Sequence, residues 1–298
     1  MNADDDRPFI PELPEAAEPE ARSAGPLFEG DPPEEPLSAP RQEYLPEDLR
    51  VPWGWFELLI FVLVCFAAGV FLIILAAIGF YLLSRGRPEI AKSLSENLIV
   101  DILFMVALDF AVVGYLAAQI RLQFNEPFWR TIGWHALDVG AIPRGVVVLG
   151  LICTGLFLDL VVTLASAIEP PKKELPIDKL FQDPHSALLF MLVAVALAPA
   201  VEEMVFRGYI YPVIARSWGI AWGVIATGVL FGGLHAQQLW GGPWQIASLV
   251  FVGIALTFVR AKTRTVLASF IVHTSYNSFQ VLLVLIGTHG LRHLPSIH

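Results

Sequence analysis

Apolar residues run along this chain in long blocks that charged positions rarely interrupt. Residues 58–83 hold 26 positions without one Asp, Glu, Lys or Arg. About 20 mostly apolar residues cross the hydrocarbon core of a bilayer as a helix, so this block predicts a span. Further blocks follow at 98–118, interrupted by Asp101 and Asp109, at 145–168, with Asp159 inside, and at 187–214. Three more lie close together at 220–235, 244–259 and 265–286, the first two short enough to lean on their flanks or on tilt. Backbone groups in lipid must be satisfied within their own segment, which makes helix the default. The pattern predicts an all-α, polytopic membrane bundle of seven transmembrane helices, eight if a re-entrant piece is hidden.

The connectors read differently. "RLQFNEPFWRTIGWHALDV", between the second and third spans, carries Trp129, Trp134, Arg121 and Arg130, as expected of a helix lying among the headgroups without crossing. "EPPKKELPIDKLFQDPH" is a Pro-rich linker before the fourth span, and no internal repeat is visible.

Composition changes the picture mainly at the N-terminus. The net charge of -9 comes from residues 1–50, which hold 14 Asp/Glu against 4 Arg, whereas 51–298 hold 14 against 15 Lys/Arg. That first segment has 10 of the 22 prolines and little apolar periodicity. It predicts a disordered acidic arm, followed by a membrane bundle over 51–290 and a short tail at 291–298. The arm lacks the pattern of a removable signal peptide. Loop Lys and Arg nearly balance between the two sides, tilting the N-terminus toward the cytoplasm of a multi-pass protein expected in the plasma membrane. Cys65 and Cys153 sit in apolar runs and read as small hydrophobes. His289, His293 and His298 fall in the tail and form no metal-ligand pattern.

The chemistry begins where charge enters a span. In "ALAPAVEEMVFRGYIYP" two adjacent carboxylates and an arginine interrupt a greasy segment, each a costly guest in lipid. Glu203 and Arg207 are four apart, so they stack on one helix face and can pair. Glu202 is turned about 100° from its neighbour and can face another space, free for chemistry. Two later spans repeat the four-residue spacing: "FGGLH" aligns Phe231 with His235, beside Gly228, Gly232 and Gly233, which permit close helix approach, and "HTSYN" aligns His273 with Asn277. A carboxylate, two imidazoles and an amide from three spans make a usable catalytic inventory.

These three motifs, E-E-x-x-x-R at Glu202, Glu203 and Arg207, F-x-x-x-H at Phe231 and His235, and H-x-x-x-N at His273 and Asn277, resemble the CAAX prenyl protease and bacteriocin-processing family of intramembrane endopeptidases, also called the CPBP or Abi group. The resemblance covers about 145–286. It implies a Glu/His-activated water, with Glu202 and His235 activating it, His273 and Asn277 stabilising the oxyanion, and Glu203 with Arg207 orienting the site. It also implies a membrane-associated protein or peptide substrate, prenylated CAAX-type or bacteriocin-like, met at the lipid bilayer, with no nucleic acid partner. Members are often called metalloproteases, and Glu202, His235 and His273 are candidate ligands of a zinc cofactor, although no H-E-x-x-H is present. The favoured expectation is a water activated without metal.

Blander readings stand beside these. Glu203 and Arg207 could be a neutralised pair tying helices together, and Phe231 a packing residue. Asp101, Asp109 and Asp159 fit an ion-coupled transporter, since carboxylates in spans mark ion paths by default. A non-catalytic scaffold or immunity protein is a further alternative, although an idle scaffold needs none of the three motifs. Oligomeric state is not legible.

Overall fold

The computed structural model describes residues 46–95, 97–168, 176–181 and 183–292. Among them there is no strand. The helices are α1 (Trp55–Ser84), α2 (Pro88–Ser95), α3 (Leu98–Ala118), α4 (Phe128–Thr131), α5 (Arg144–Ile168), α6 (Pro184–Leu192), α7 (Ala198–Glu203), α8 (Tyr211–Trp218), α9 (Ile220–Leu234), α10 (Pro243–Thr263) and α11 (Val266–Gly287). Six helical stretches are long and apolar enough to cross a membrane: Trp55–Ser84, Leu98–Gln123, Arg144–Ala167, Pro184–Trp218, Pro243–Thr263 and Val266–Gly287. Ile220–Leu234 is a shorter apolar helix of 15 residues, about 22 Å long against a core of about 30 Å. The chain is an all-helical, multi-pass integral membrane protein.

Glycines set the closest packing. A Cβ on Gly253 of α10 would sit 2.8 Å from the Gly228 carbonyl of α9, and Gly232 abuts Val250 one turn away. Only hydrogen fits in that seam, so the two helices meet backbone to backbone. Gly233, expected to share in this approach, has nothing within 4 Å of its Cβ position, because it faces away from α10. Gly155 plays the same part between α5 and α11, where a Cβ would lie 2.5 Å from the Val272 carbonyl.

Three expectations change. The arm was bounded at residue 50, but 46–50 pack on the bundle: Glu47–Leu49 form a 3₁₀ turn, and Leu49 is buried with Tyr211, Ala215 and Val224. Residues 1–45 and the tail from 293, including His293 and His298, lie outside the described residues. Arg260, which falls just past the span expected at 244–259 and so among the loop charges, is buried inside α10 and pairs with Asp48 at 2.7 Å. A buried guanidinium needs a counterion, and the residues before α1 supply it. The headgroup helix contracts to the four residues of α4, after a π turn at Gln119–Gln123. Pro127 starts it and Gly133 at φ 80° follows it, leaving no room for a longer one.

Candidate active site

The glutamate doublet sits on an interrupted helix. Asp183 caps α6, its side chain accepting from the Ser186 backbone N–H at 2.7 Å. α6 then passes into a π turn at Val193–Leu197, where the Ala198 N–H reaches the Val193 carbonyl five residues back. Pro199 has no N–H for the carbonyl of Val195, and a bare carbonyl in a membrane interior is costly. α11 provides the substitute: the Thr274 hydroxyl donates to the Val195 carbonyl at 2.9 Å, and Asn277 Nδ2 donates to the Ala194 carbonyl at 2.7 Å. After α7 a second π turn, Met204–Ile210, leads to Pro212 and α8. The six residues of α7 are thus a short rod between two irregular joints, a pattern frequent at functional sites.

Glu203 and Arg207 are both fully buried and pair at 2.9 Å. Arg207 also donates to the Gly253 carbonyl at 2.9 Å and to the Thr257 hydroxyl at 3.2 Å, so its fork is held by α10, and its guanidinium lies 4.6 Å over the Phe231 ring. Glu203 Oε1 accepts a second bond at 2.9 Å from His273 Nδ1. The carboxylate can only accept, so Nδ1 carries the proton, and the imidazole Nε2 is turned to the other side. The pair therefore aims His273 as well as joining helices.

Glu202 points elsewhere, as its rotation on the helix requires. Its Oε1 lies 3.6 Å from His235 Nε2, and its Oε2 lies 3.7 Å from His273 Nε2. His235 Nδ1 lies 2.8 Å from the Phe231 carbonyl and must donate to it, which leaves its Nε2 as an acceptor too. Two imidazole lone pairs thus face one carboxylate at separations beyond a hydrogen bond, an arrangement that a shared proton donor satisfies. Glu202 and His235 keep 24% and 20% side-chain exposure, against 5% for His273, and all three line a cavity of about 450 Å³. Asn277 lines it as well, with one of its two amide N–H groups already engaged. The four residues named from the motifs converge on this cavity, and Phe231 meets the His235 ring at a tilt, 4.7 Å away, and the His273 ring edge-on at 5.7 Å.

Two imidazoles and a carboxylate are donor types suited to zinc. Among the described residues, however, no three His, Cys, Asp or Glu side chains are gathered closely enough to hold an ion.

Of the carboxylates in other spans, Asp101 is exposed in the first turn of α3, Asp109 lies within electrostatic reach of Glu202, and Asp159 is fully buried on α5. Sequence reasoning missed Thr274, Gly253 and Thr257 as supports of the site. Pro199 was the available signal for the first, since a proline in a span advertises a carbonyl that must find a donor.

Residues 184–279, about a third of the chain, match the family described as "Type II CAAX prenyl endopeptidase Rce1-like". The bundle has an Rce1-like core. All three motifs lie inside it, and the Rce1-like segment includes both joints around α7 and most of α11. No curated protein and no solved structure matches the chain. The Rce1-like core supports a membrane-embedded protease of the CAAX type in general terms.

Proposed function

We propose that the protein is an intramembrane endopeptidase that cuts membrane-associated, CAAX-type proteins with a water activated by Glu202. The carrying observation is the convergence of Glu202 with the Nε2 atoms of His235 and His273 at 3.6 and 3.7 Å, inside a cavity whose walls are mostly apolar. A water between these acceptors can donate a hydrogen bond to two of them at a time. Glu202 takes the proton as the oxygen attacks the scissile carbonyl and later returns it to the leaving amine, with His235 orienting the water.

The tetrahedral oxyanion needs donors. Asn277 can supply its second amide N–H, and His273, once its neutral ring has taken up a proton at Nε2 through the cavity, supplies a second donor, with Glu203 on its other nitrogen. In that state Arg207 and the imidazolium balance Glu203 and the oxyanion, Glu202 having taken the water's proton, which suits a low-dielectric site. No step passes through a metal. In the cell the proposed setting is the plasma membrane, with the N-terminus cytoplasmic.

The test uses the purified, chelator-washed protein and a fluorogenic peptide ending in a farnesylated CAAX sequence. Cleavage that survives chelation and disappears in Glu202→Gln is expected. Stoichiometric zinc that tracks with activity would overturn the metal-free route, and wild-type turnover by Glu202→Gln would remove that residue from the reaction.

A further inference from the structure

Asp159 lies near the middle of α5, where a carboxyl is an expensive guest. Its side chain is wholly buried; the Thr163 hydroxyl donates to Oδ2 at 3.4 Å, and Oδ1 has no hydrogen-bond partner. α5 and α11 run side by side in the same direction: Gly155 abuts Val272 and Tyr276, so Asp159, one turn on, faces Tyr276 and Gln280. The Gln280 amide lies beside the Asp159 carboxyl, and its Nε2 donates to the Tyr276 hydroxyl oxygen at 2.9 Å. Tyr276 and Gln280 both line the cavity that holds Glu202.

The bond between Gln280 and Tyr276 has a direction. Tyr276 accepts it at its oxygen, so the hydroxyl's own proton points elsewhere. It does not go to Asp159, whose Oδ1 is unpartnered. A hydroxyl that accepts one hydrogen bond becomes a stronger donor of the next. Tyr276 is three residues beyond His273 on the same stripe of α11, about 4.5 Å further along the axis. That offset is close to the rise of one to two residues of extended peptide. Much of the remaining wall is apolar, with Met191, Leu239 and Leu249, so the polar side chains that line the cavity are few.

We propose that Tyr276, oriented by Gln280 and Asp159, donates a hydrogen bond to a backbone carbonyl of the substrate next to the scissile bond. Tyr276 then touches substrate, whereas Gln280 and Asp159 act through it as positioning residues. The assignment rests on the protease reading above and adds to it the polar handle by which an apolar cavity grips a peptide chain.

The experiment compares Tyr276→Phe, Gln280→Leu and the double variant in the full-length protein, using the farnesylated CAAX peptide. Tyr276→Phe keeps the ring and removes only the hydroxyl. It is expected to lower kcat/KM about tenfold, mainly through KM, at unchanged thermal midpoint. Gln280→Leu is expected to lose part of this, and to lose nothing further once Tyr276 is Phe. Wild-type kcat/KM in Tyr276→Phe, or additive losses in the double variant, would overturn the proposal. Binding of the same peptide to Glu202→Gln, read by fluorescence anisotropy with and without Tyr276→Phe, separates the two claims. If the wild type cuts nothing, the protease reading fails and binding alone judges Tyr276: weaker binding in the Phe variant upholds it, and equal or absent binding overturns it.

Discussion

α1 and the segment 184–218 cross the same bilayer by opposite means. α1 is an unbroken helix of 30 residues in which a stretch of 18 has mean hydropathy 3.3, and its few buried side chains are Leu58, Phe61 and Ser84. Its backbone satisfies itself, so it needs neighbours only at its ends. The segment 184–218 is broken by two π turns and the interior prolines Pro199 and Pro212, carries three charged side chains in its middle, and is far more enclosed. The first joint and the buried pair are completed by groups from α10 and α11, and in the second joint the Tyr209 carbonyl accepts from the Trp53 indole N–H at 3.0 Å. A regular helix suffices to sit in lipid. An irregular one is tolerated where other helices complete its hydrogen bonds, and that enclosure is what lets charge persist for chemistry.

Substitutions sharpen this contrast. The largest effect is expected at Glu202→Ala and His235→Ala, each costing at least about 10³-fold in peptide cleavage while the protein remains folded, as checked by turnover alongside thermal midpoint. Next comes Arg207→Leu, which strands the Glu203 carboxylate in the core and should destabilise the bundle by about 3–5 kcal/mol, read as lost expression and a lowered midpoint. Adding Glu203→Leu should recover much of that stability but not activity, since His273 then has no partner at Nδ1. Thr274→Val uncovers the Val195 carbonyl and should cost about 1–2 kcal/mol in the same unfolding measurement. Leu75→Ala on the lipid face of α1 should change the midpoint least, by under about 0.5 kcal/mol.

A pH series offers a finer probe outside the membrane. Hydrogen bonds from the Ser186 backbone N–H and hydroxyl hold the Asp183 carboxyl below its ordinary range. Its cap therefore contributes fully above the unfolded-state titration and is lost as pH falls through the lower, folded one. Asp183→Ala should reduce the midpoint slightly at neutral pH and not at all in strong acid.

Much of this was readable from residue spacing. The spans at 98–118 and 145–168 match α3 and α5 almost to the residue, because long apolar blocks ended by polar residues have few other solutions in lipid. The division of labour between Glu202 and Glu203 followed from helix geometry, and the pairing of Glu203 with Arg207 from their four-residue offset. The bond from His273 to Glu203 was not readable, since nothing local tells which residue 70 positions away will face a carboxylate. Arg260 misled because a basic residue near a span end looks like a loop charge unless its counterion, Asp48, is known to fold back. The π turns were hidden for another reason: they reflect tertiary donors outcompeting the local i→i−4 bond, which no short window reveals.

A π turn is, in effect, one surplus residue threaded into an α-helix. Remove a single residue from 193–197 and everything after it falls out of phase by about 100°. Glu202 would swing off its imidazoles while composition and hydropathy stayed nearly the same. The place of Glu202 is therefore fixed by a residue count upstream of it, a quantity that hydrophobic profiles do not record.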